Sequence, residues 1–252
     1  MAKDQFEPGL AKRLRHARPI RWLRKFAPRE PFAFEKQRLF WQVLPYTMSS
    51  YERLNNAYEL ASAIENDGVE GAFVECGVFK GGCAAVMGYV ARRGGTDRRT
   101  WLFDSFEGLP EPTAEDGQQA VDYSRSRSTG RLETVDRCVG PMDVVKEVLF
   151  DKLRLDQRRI VIRKGWFQDT LPGARGEIGP IAILRLDGDW YESTKTCLDN
   201  LYDNVVPGGY VILDDYYCWE GCKKALDEFV AARGLAVEVT RIDKAGAYFR
   251  KC

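Results

Sequence analysis

The most informative stretch of this chain is Ile181-Ala182-Ile183-Leu184-Arg185-Leu186-Asp187-Gly188-Asp189-Trp190-Tyr191-Glu192-Ser193-Thr194. Its first half is mostly apolar, which is typical of a strand buried in a parallel sheet, and a helical pattern follows Trp190. Two carboxylates, Asp187 and Asp189, come where the strand ends. Because open α/β sheets bind their ligands at the carboxyl ends of the strands, we expect chemistry at this point.

A second strand of the same kind follows after one crossover helix. Residues 209–213 are apolar apart from their glycine, and Asp214 and Asp215 come directly after them. If the two strands are neighbours in the sheet, these two acids converge with Asp187 and Asp189 on one spot.

Strand and helix patterns alternate from residue 71 onward, which predicts an α/β fold with a doubly wound, mostly parallel, Rossmann-like sheet of seven strands. The last two strands suit an antiparallel edge hairpin. The predicted strands are residues 71–77, 100–104, 159–164, 181–186, 209–213, 236–240 and 247–250. The predicted helices are residues 51–66, with Ser49 or Ser50 as N-cap, 83–93, about 142–152, a helix after Trp190, and 220–232.

The chain of 252 residues is long enough for one large α/β domain with a buried core. We divide it into an accessory arm, residues 1–45, and a main domain, residues 46–252. The polar, turn-rich stretch at about 111–140 is too long for an ordinary connection, so it is interpreted as a lid or insertion.

The accessory arm is basic: residues 1–40 hold eleven Lys or Arg against four acids. It suits a solvated arm or an oligomer-packing helix; an anionic membrane or nucleic acid is the alternative, but no recognition motif supports nucleic acid. No apolar run approaches the roughly 20 residues that span a bilayer, and no signal peptide is visible, so a cytoplasmic location is expected.

The first strand ends in a loop, Glu75-Cys76-Gly77-Val78-Phe79-Lys80-Gly81-Gly82, that has the context of a nucleotide site without the G-x-G-x-x-G spacing. A carboxylate at Glu75 would repel a pyrophosphate on the following helix N-terminus, so a cationic ligand is favoured. S-adenosylmethionine fits, because its ammonium can pair with Glu75 and its ribose with Asp104 at the next strand end. Gly77 would let the backbone approach closely. The alternative is a tight turn with an incidental surface glutamate.

Four acids at adjacent strand ends would repel one another unless a cation held them together, and all-oxygen ligands favour Mg²⁺. We take Asp187, Asp214 and Asp215 as the metal ligands. A metal lowers the pKa of a hydroxyl that it binds, and a nearby carboxylate can then take the proton. Because the sole histidine, His16, lies in the arm, the base is a carboxylate or a lysine; Asp189 is expected, with Asp187 as the alternative. Helix N-capping is the structural alternative for Asp189 and Asp215.

Six motifs, in order from about residue 40 to the end, resemble the macrocin O-methyltransferase family, the TylF and MycF type, which methylates sugar hydroxyls on natural products. They are Tyr46-Thr47-Met48, Phe73 to Val78 with Gly81-Gly82, Asp104 to Gly108, Asp169 to Pro172, Leu184 to Thr194 without Gly188, and Val206 to Gly209 through Asp214-Asp215-Tyr216.

The resemblance implies a class I S-adenosylmethionine-dependent fold, Mg²⁺ on Asp187, Asp214 and Asp215, a carboxylate base at Asp189, and a homo-oligomer. The small-molecule acceptor would carry a hydroxyl, on a glycosylated compound. Cofactor contacts are expected from Thr47, Met48, Glu75, Cys76, Gly77, Asp104, Ser105 and Asp187, with adenine contacts from the loop that contains Trp166 and Phe167.

Two other functions stay open at this point. An Asp-x-Asp strand end with a later Asp-Asp pair also suggests a haloacid-dehalogenase-like phosphohydrolase, although that fold places its nucleophilic aspartate on the first strand. A non-catalytic protein that binds S-adenosylmethionine is the other. The acceptor itself could be a deoxysugar, a polysaccharide residue or a phenol.

Overall fold

The computed structural model describes residues 33–252. Its strands are β1 (Ala72–Cys76), β2 (Thr100–Asp104), β3 (Ile160–Lys164), β4 (Ile181–Leu186), β5 (Val205–Leu213), β6 (Thr240–Arg241) and β7 (Ala247–Arg250). Its α-helices are α1 (Phe34–Val43), α2 (Tyr51–Asn66), α3 (Gly82–Gly94), α4 (Gly117–Ser124), α5 (Met142–Lys146), α6 (Phe167–Ile178), α7 (Tyr191–Leu201) and α8 (Glu220–Ala232).

The strands form one seven-stranded sheet in the order β3-β2-β1-β4-β5-β7-β6. The first five are parallel, whereas β7 pairs antiparallel with β5, and β6 pairs antiparallel with β7. This confirms the predicted Rossmann-like fold with an antiparallel edge. The chain winds outward in opposite directions from β1 and β4, so the topological switch point lies between these two strands.

Helices cover both faces of the sheet, which explains why its central strands are almost continuously apolar. Successive side chains alternate between the faces. Val74 packs with Leu184 on the side of α6, α7 and α8. Phe73 packs with Ile183 on the side of α2 and α3. All six residues of β4 are buried, including Arg185, which is the exception to the apolar rule.

Helix α1 lies within the segment that the sequence analysis assigns to the basic arm. Its residues Leu39, Phe40 and Val43 are buried and belong to the same apolar cluster as Tyr51 of α2. The ring of Phe40 meets that of Tyr51 edge-on, with centroids 5.8 Å apart. Residues 1–32, with His16, lie outside the described residues, so the role of the arm stays a prediction.

The predicted helix at 142–152 is confirmed within its bounds: it is α-helical to Lys146 and continues as a π-helix over Glu147–Lys152. At two other places the structure differs from the sequence prediction. The predicted strand at 236–240 shrinks to β6, because Val237 and Val239 pack against the apolar core instead of joining a ladder. Helix α6 was not predicted, because Pro172 interrupts its sequence pattern.

The stretch at 111–140, called the lid segment below, is tied to the body of the domain. The buried carboxylate of Asp116 accepts hydrogen bonds from the Tyr191 amide (2.6 Å) at the start of α7 and from the Thr113 amide (2.7 Å) and hydroxyl (2.9 Å). Just before the segment, the Pro110 carbonyl accepts a hydrogen bond from Trp190 Nε1 at 2.9 Å. The base of the lid segment is therefore attached to the helix that follows β4.

Within residues 33–252, no helix is both long and apolar enough to cross a membrane.

Replacing Asp116 by alanine should loosen the lid segment. The change leaves the Tyr191 amide without its charged acceptor, so the free energy of unfolding should fall by about 2 kcal/mol or more. Urea unfolding measures this, and limited proteolysis should cut within 111–140 sooner. Asp122→Ala, at an exposed position on α4, is the control and should stay within about 0.5 kcal/mol of wild type. Equal stability of the two variants would contradict the assigned anchor.

Candidate active site

A cavity opens at the sheet edge where the carboxyl ends of β1, β2, β4 and β5 meet. It lies over the switch point between β1 and β4. Its walls come from the loops after these strands, from residues 46–49 before α2, and from the lid segment through Tyr123 and Cys138.

The loop after β1 touches the end of β4 at Gly77. This glycine has a φ of +87°, and a Cβ at this position would lie 1.9 Å from the Asp187 carbonyl oxygen. The Asp187 amide in turn donates to the Cys76 carbonyl at 2.8 Å. Only glycine combines this φ with so close an approach. The glycine loop and the first predicted metal ligand therefore form one packed unit.

Asp104, at the end of β2, shapes the same loop. Its Oδ2 accepts hydrogen bonds from the amides of Val78 (2.6 Å) and Phe79 (3.1 Å), and its Oδ1 accepts one from the Phe106 amide (2.6 Å). Burial raises the pKa of Asp104, and these three amides oppose the rise. The carboxylate still lines the cavity, so it combines a structural role with the predicted contact to a ligand.

The predicted metal ligands come together as expected from neighbouring strands. One carboxylate oxygen each of Asp187, Asp214 and Asp215 lies within 4.8 Å of the others. Asp214 and Asp215 are buried, whereas the side chain of Asp187 is 25% exposed to the cavity. Asp215 Oδ2 is buried and accepts no hydrogen bond from residues 33–252. A buried, unpartnered carboxylate oxygen beside two other acids suits a hard cation.

Burial and neighbouring charges raise the pKa values of two of these acids. Burial holds the pKa of Asp215 well above its usual range, and the charges of Asp189 and Asp187 add to the effect. Burial also raises the pKa of Asp214, although Arg185 opposes it. A bound divalent cation would lower both pKa values again, because it stabilises the ionised carboxylates.

Two arginines that the sequence analysis did not assign to the site compensate part of this charge. Arg185, on β4, has a side chain only 1% exposed and contacts Glu75, Asp187 and Asp214. Arg53, on α2, pairs with Asp214 through Nη1. The one available signal was an arginine within a buried apolar strand, because a charge there requires buried partners.

Glu75, the predicted partner for a ligand ammonium, lies on the cavity wall. Its Oε1 accepts a hydrogen bond from Arg185 Nη1 at 2.6 Å. Its Oε2 is buried and has no hydrogen-bond partner within the described residues 33–252. Burial raises the pKa of Glu75 to about 8, against the opposing charge of Arg185. The unpartnered oxygen is therefore available to a cationic ligand group.

Asp189 stands beside the metal-ligand cluster. Its backbone is left-handed, with a φ of +59°, which is a strained conformation for a residue with a Cβ. Trp219 Nε1 donates to its Oδ1 at 2.7 Å and so fixes the carboxyl group. Removal from water inside the cleft, together with the charge of Asp187, raises the pKa of Asp189 to about 8.

An aromatic wall next to Asp189 consists of the rings of Tyr123, Trp190 and Trp219. The ring of Trp219 lies 5.0 Å from Trp190 and 5.3 Å from Tyr123 of the lid segment, measured between centroids. Arg137 contacts Tyr123 in two ways: its Nε donates to the Tyr123 carbonyl at 3.0 Å, and its guanidinium carbon lies 5.5 Å from the centroid of the Tyr123 ring. Tyr123 and Trp219 line the cavity, so the lid segment faces the acids with an apolar surface.

Most of the predicted site residues line this one cavity. They are Thr47, Met48, Glu75, Gly77, Asp104, Ser105, Trp166, Phe167, Asp187, Asp189, Asp214 and Asp215. Cys76 is not among the lining residues: its side chain is buried in the core cluster on the other face of the sheet, because Glu75 points to the cavity and neighbouring strand residues point opposite ways. Its predicted contact with the cofactor stays a prediction.

The fold of this chain is similar to that of solved methyltransferases. The solved structure of the O-methyltransferase NovP has a TM-score of 0.71 and 35% sequence identity, and the match covers 82% of each chain. The structure of CalS11, a calicheamicin methyltransferase, shares the fold at a TM-score of 0.65 and 21% identity, over 99% of this chain and 94% of that one.

The family model for macrocin-O-methyltransferase (TylF) matches residues 24–251. A tetracenomycin 4'-O-methyltransferase from Streptomyces olivaceus, whose name specifies an 8-demethyl-8-(2,3-dimethoxy-alpha-L-rhamnosyl) compound, is 36% identical over 211 residues, which are 83% of this chain and 77% of the relative. The chain belongs to the macrocin-O-methyltransferase family and is an O-methyltransferase. A phosphohydrolase is thereby ruled out, and Asp187 does follow the fourth strand along the chain, where that alternative needs the first.

Gly77→Ala should test the contact between the two loops. The new Cβ meets the Asp187 backbone and also imposes left-handed strain. Gly95→Ala is the matched control, because Gly95 has a φ of +70° with nothing within 4 Å. Strain alone should cost Gly95→Ala about 1–2 kcal/mol. In urea unfolding, Gly77→Ala should lose clearly more; equal losses would show that the contact is unimportant.

Proposed function

We propose that this enzyme transfers a methyl group from S-adenosylmethionine to a sugar hydroxyl of a glycosylated natural product, with Mg²⁺ held by Asp187, Asp214 and Asp215. One observation carries the proposal: three carboxylates that suit a hard cation converge in the same cavity as the glycine loop at Gly77, in backbone contact with it.

The charge of the cavity supports the binding of both Mg²⁺ and S-adenosylmethionine. In their ionised forms, six carboxylates that line the cavity outnumber the two guanidinium groups of Arg53 and Arg185; they belong to Glu75, Asp104, Asp187, Asp189, Asp214 and Asp215. Negative charge is therefore in excess. A divalent cation and S-adenosylmethionine, which carries one net positive charge, would compensate most of it. The charge of the cavity thus favours binding of the two ligands together.

On the donor side, the chain would bind and orient S-adenosylmethionine. When bound, this cofactor supplies an electrophilic methyl group on a sulfonium, whose carbon–sulfur bond breaks as the carbon–oxygen bond forms. Glu75 Oε2 would receive the ammonium, because it is buried and has no partner among residues 33–252. Asp104 would face the ribose, and Trp166 and Phe167 line the part of the cavity assigned to the adenine.

On the acceptor side, Asp187, Asp214 and Asp215 would hold Mg²⁺ through oxygens that include the unpartnered Asp215 Oδ2. Mg²⁺ supplies Lewis acidity that lowers the pKa of an acceptor hydroxyl. Asp189 would take the hydroxyl proton, because it lines the cavity beside these ligands and Trp219 fixes its carboxyl group. Asp187 is the alternative base.

The aromatic wall favours a sugar as the acceptor. Tyr123 and Trp219 offer apolar ring surface beside the proposed base, and a deoxysugar presents an apolar C–H face as well as hydroxyls. Binding sites of this kind combine apolar lining with a few polar groups that fix orientation. The relative from Streptomyces olivaceus is named for a rhamnosyl compound, which is an acceptor of this chemical class.

Two more expectations stay predictions: assembly into a homo-oligomer and a cytoplasmic location. The alternative of a protein that binds S-adenosylmethionine without catalysis does not fit an O-methyltransferase.

The first test of this function is transfer of labelled methyl from S-adenosylmethionine to a panel of rhamnosides and other deoxysugar glycosides, with the free aglycones as comparison. EDTA should abolish transfer and excess Mg²⁺ should restore it. Asp215→Asn should also abolish it, whereas Asp199→Asn, at an exposed Lys195 pair on α7, should not. Undiminished activity of the metal-free enzyme would refute the proposed role of Mg²⁺. Methylation of the aglycones alone would refute the proposal that the acceptor hydroxyl is on a sugar.

Asp189→Asn should separate the two candidate bases. The amide oxygen can still accept from Trp219, so the local geometry should persist. Loss of the base should lower kcat by about 100-fold or more. Calorimetric Kd values for Mg²⁺ and S-adenosylhomocysteine should change little. A kcat close to that of wild type would move the base to Asp187.

A further inference from the structure

One guanidinium group contacts both halves of the proposed site. Arg185 Nη1 donates to Glu75 Oε1 at 2.6 Å and to Asp187 Oδ2 at 2.8 Å. Its Nη2 donates to Asp214 Oδ1 at 2.5 Å and lies 3.5 Å from Ser49 Oγ. Glu75 belongs to the donor side, whereas Asp187 and Asp214 belong to the metal side.

The sheet holds this group in place. In the register of the parallel strands, Arg185 of β4 lies beside Glu75 of β1 and beside Ile212 of β5, two residues before Asp214. Its side chain is 1% exposed. The guanidinium is planar, always charged, and presents its donors in a fixed fork. Its orientation therefore determines where the three carboxylates can point.

We propose that Arg185 is a positioning residue that orients Glu75 toward the donor and Asp187 and Asp214 toward the cation at the same time. This inference rests on the proposed function, because it concerns how the two proposed ligands share one group. No other arginine of the described residues contacts both Glu75 and a predicted metal ligand.

Charge and orientation make opposite predictions for this residue. Removal of the Arg185 charge makes the cavity more negative, so simple attraction would strengthen Mg²⁺ binding. Loss of the fork lets Glu75, Asp187 and Asp214 turn away from one another, so binding of both ligands would weaken. Orientation should prevail, because groups that orient metal ligands typically contribute about 10–100-fold to metal affinity.

The test uses two variants of the full-length protein and calorimetric titration with MgCl₂ and, separately, with S-adenosylhomocysteine. Arg185→Lys keeps the charge without the planar fork, and Arg185→Gln removes the charge. In both variants, both Kd values should rise by about tenfold or more. Wild-type affinities in Arg185→Lys would show that charge is sufficient and would overturn the proposal. Tighter Mg²⁺ binding in Arg185→Gln would overturn it as well.

Arg98→Lys is the matched control. The guanidinium group of Arg98 is also buried, with the side chain 6% exposed. It bonds to Glu65 at 2.5 Å and to the Val69 carbonyl at 2.8 Å, and Arg98 does not line the active-site cavity. It should lose stability in thermal unfolding without a change in either Kd. Weakened binding in this control would attribute the Arg185 effect to general loosening and would count against the proposal.

A measurement on the wild type keeps the inference testable if the Arg185 variants do not fold. Because one group orients both sides, S-adenosylhomocysteine should tighten Mg²⁺ binding by about fivefold or more, and Mg²⁺ should tighten S-adenosylhomocysteine binding by the same factor. Equal Mg²⁺ affinities with and without S-adenosylhomocysteine would overturn the proposal. No Mg²⁺ binding under either condition would instead refute the proposed function, and this inference with it.

Discussion

Compensation of buried negative charge is the constraint on which the rest of this site depends. Six carboxylates line one cleft, and burial, together with the like charges of neighbouring acids, raises the pKa values of Glu75, Asp189 and Asp215. Two arginines compensate only part of this charge. The charge that is left uncompensated would favour cations in the cleft, so the cost of gathering the acids in the folded protein and the proposed binding of a metal and a sulfonium donor have the same physical origin.

The sheet converts this electrostatic constraint into fixed geometry. Parallel strands bring Glu75, Arg185 and Asp214 side by side because their positions are set by backbone hydrogen bonds. The contact of Gly77 with the Asp187 carbonyl joins the first loop to the end of β4. Side chains on such rigid elements keep their mutual distances better than side chains on free loops. The acids are thus held near one another by the fold, even though their charges favour separation.

How far the sequence predicts this structure depends on how local each signal is. Helices α2 and α8 were predicted to the residue, because apolar spacing, and in α2 also the cap at Ser50, acts within one element. Helix α6 was missed, because its packing outweighs the interruption at Pro172. In the site, the strand-end acids were visible in the sequence. The contacts of Arg185 with these acids were not, because they depend on the register of three strands. The burial of the Cys76 side chain in the core was not visible either, because it depends on the face of the sheet to which each residue of β1 points.

The attachment of the lid segment at Asp116 limits how acceptors of different size can be accommodated. Since Asp116 bonds to the amide of Tyr191, two residues after Asp189, the near end of the lid segment keeps a constant spacing from the proposed base. The residues of the lid segment that face the cavity, Tyr123 and Cys138, lie beyond this attachment. Exchanges at these two positions would therefore change the space for an acceptor while the spacing between Asp116 and the proposed base stays the same.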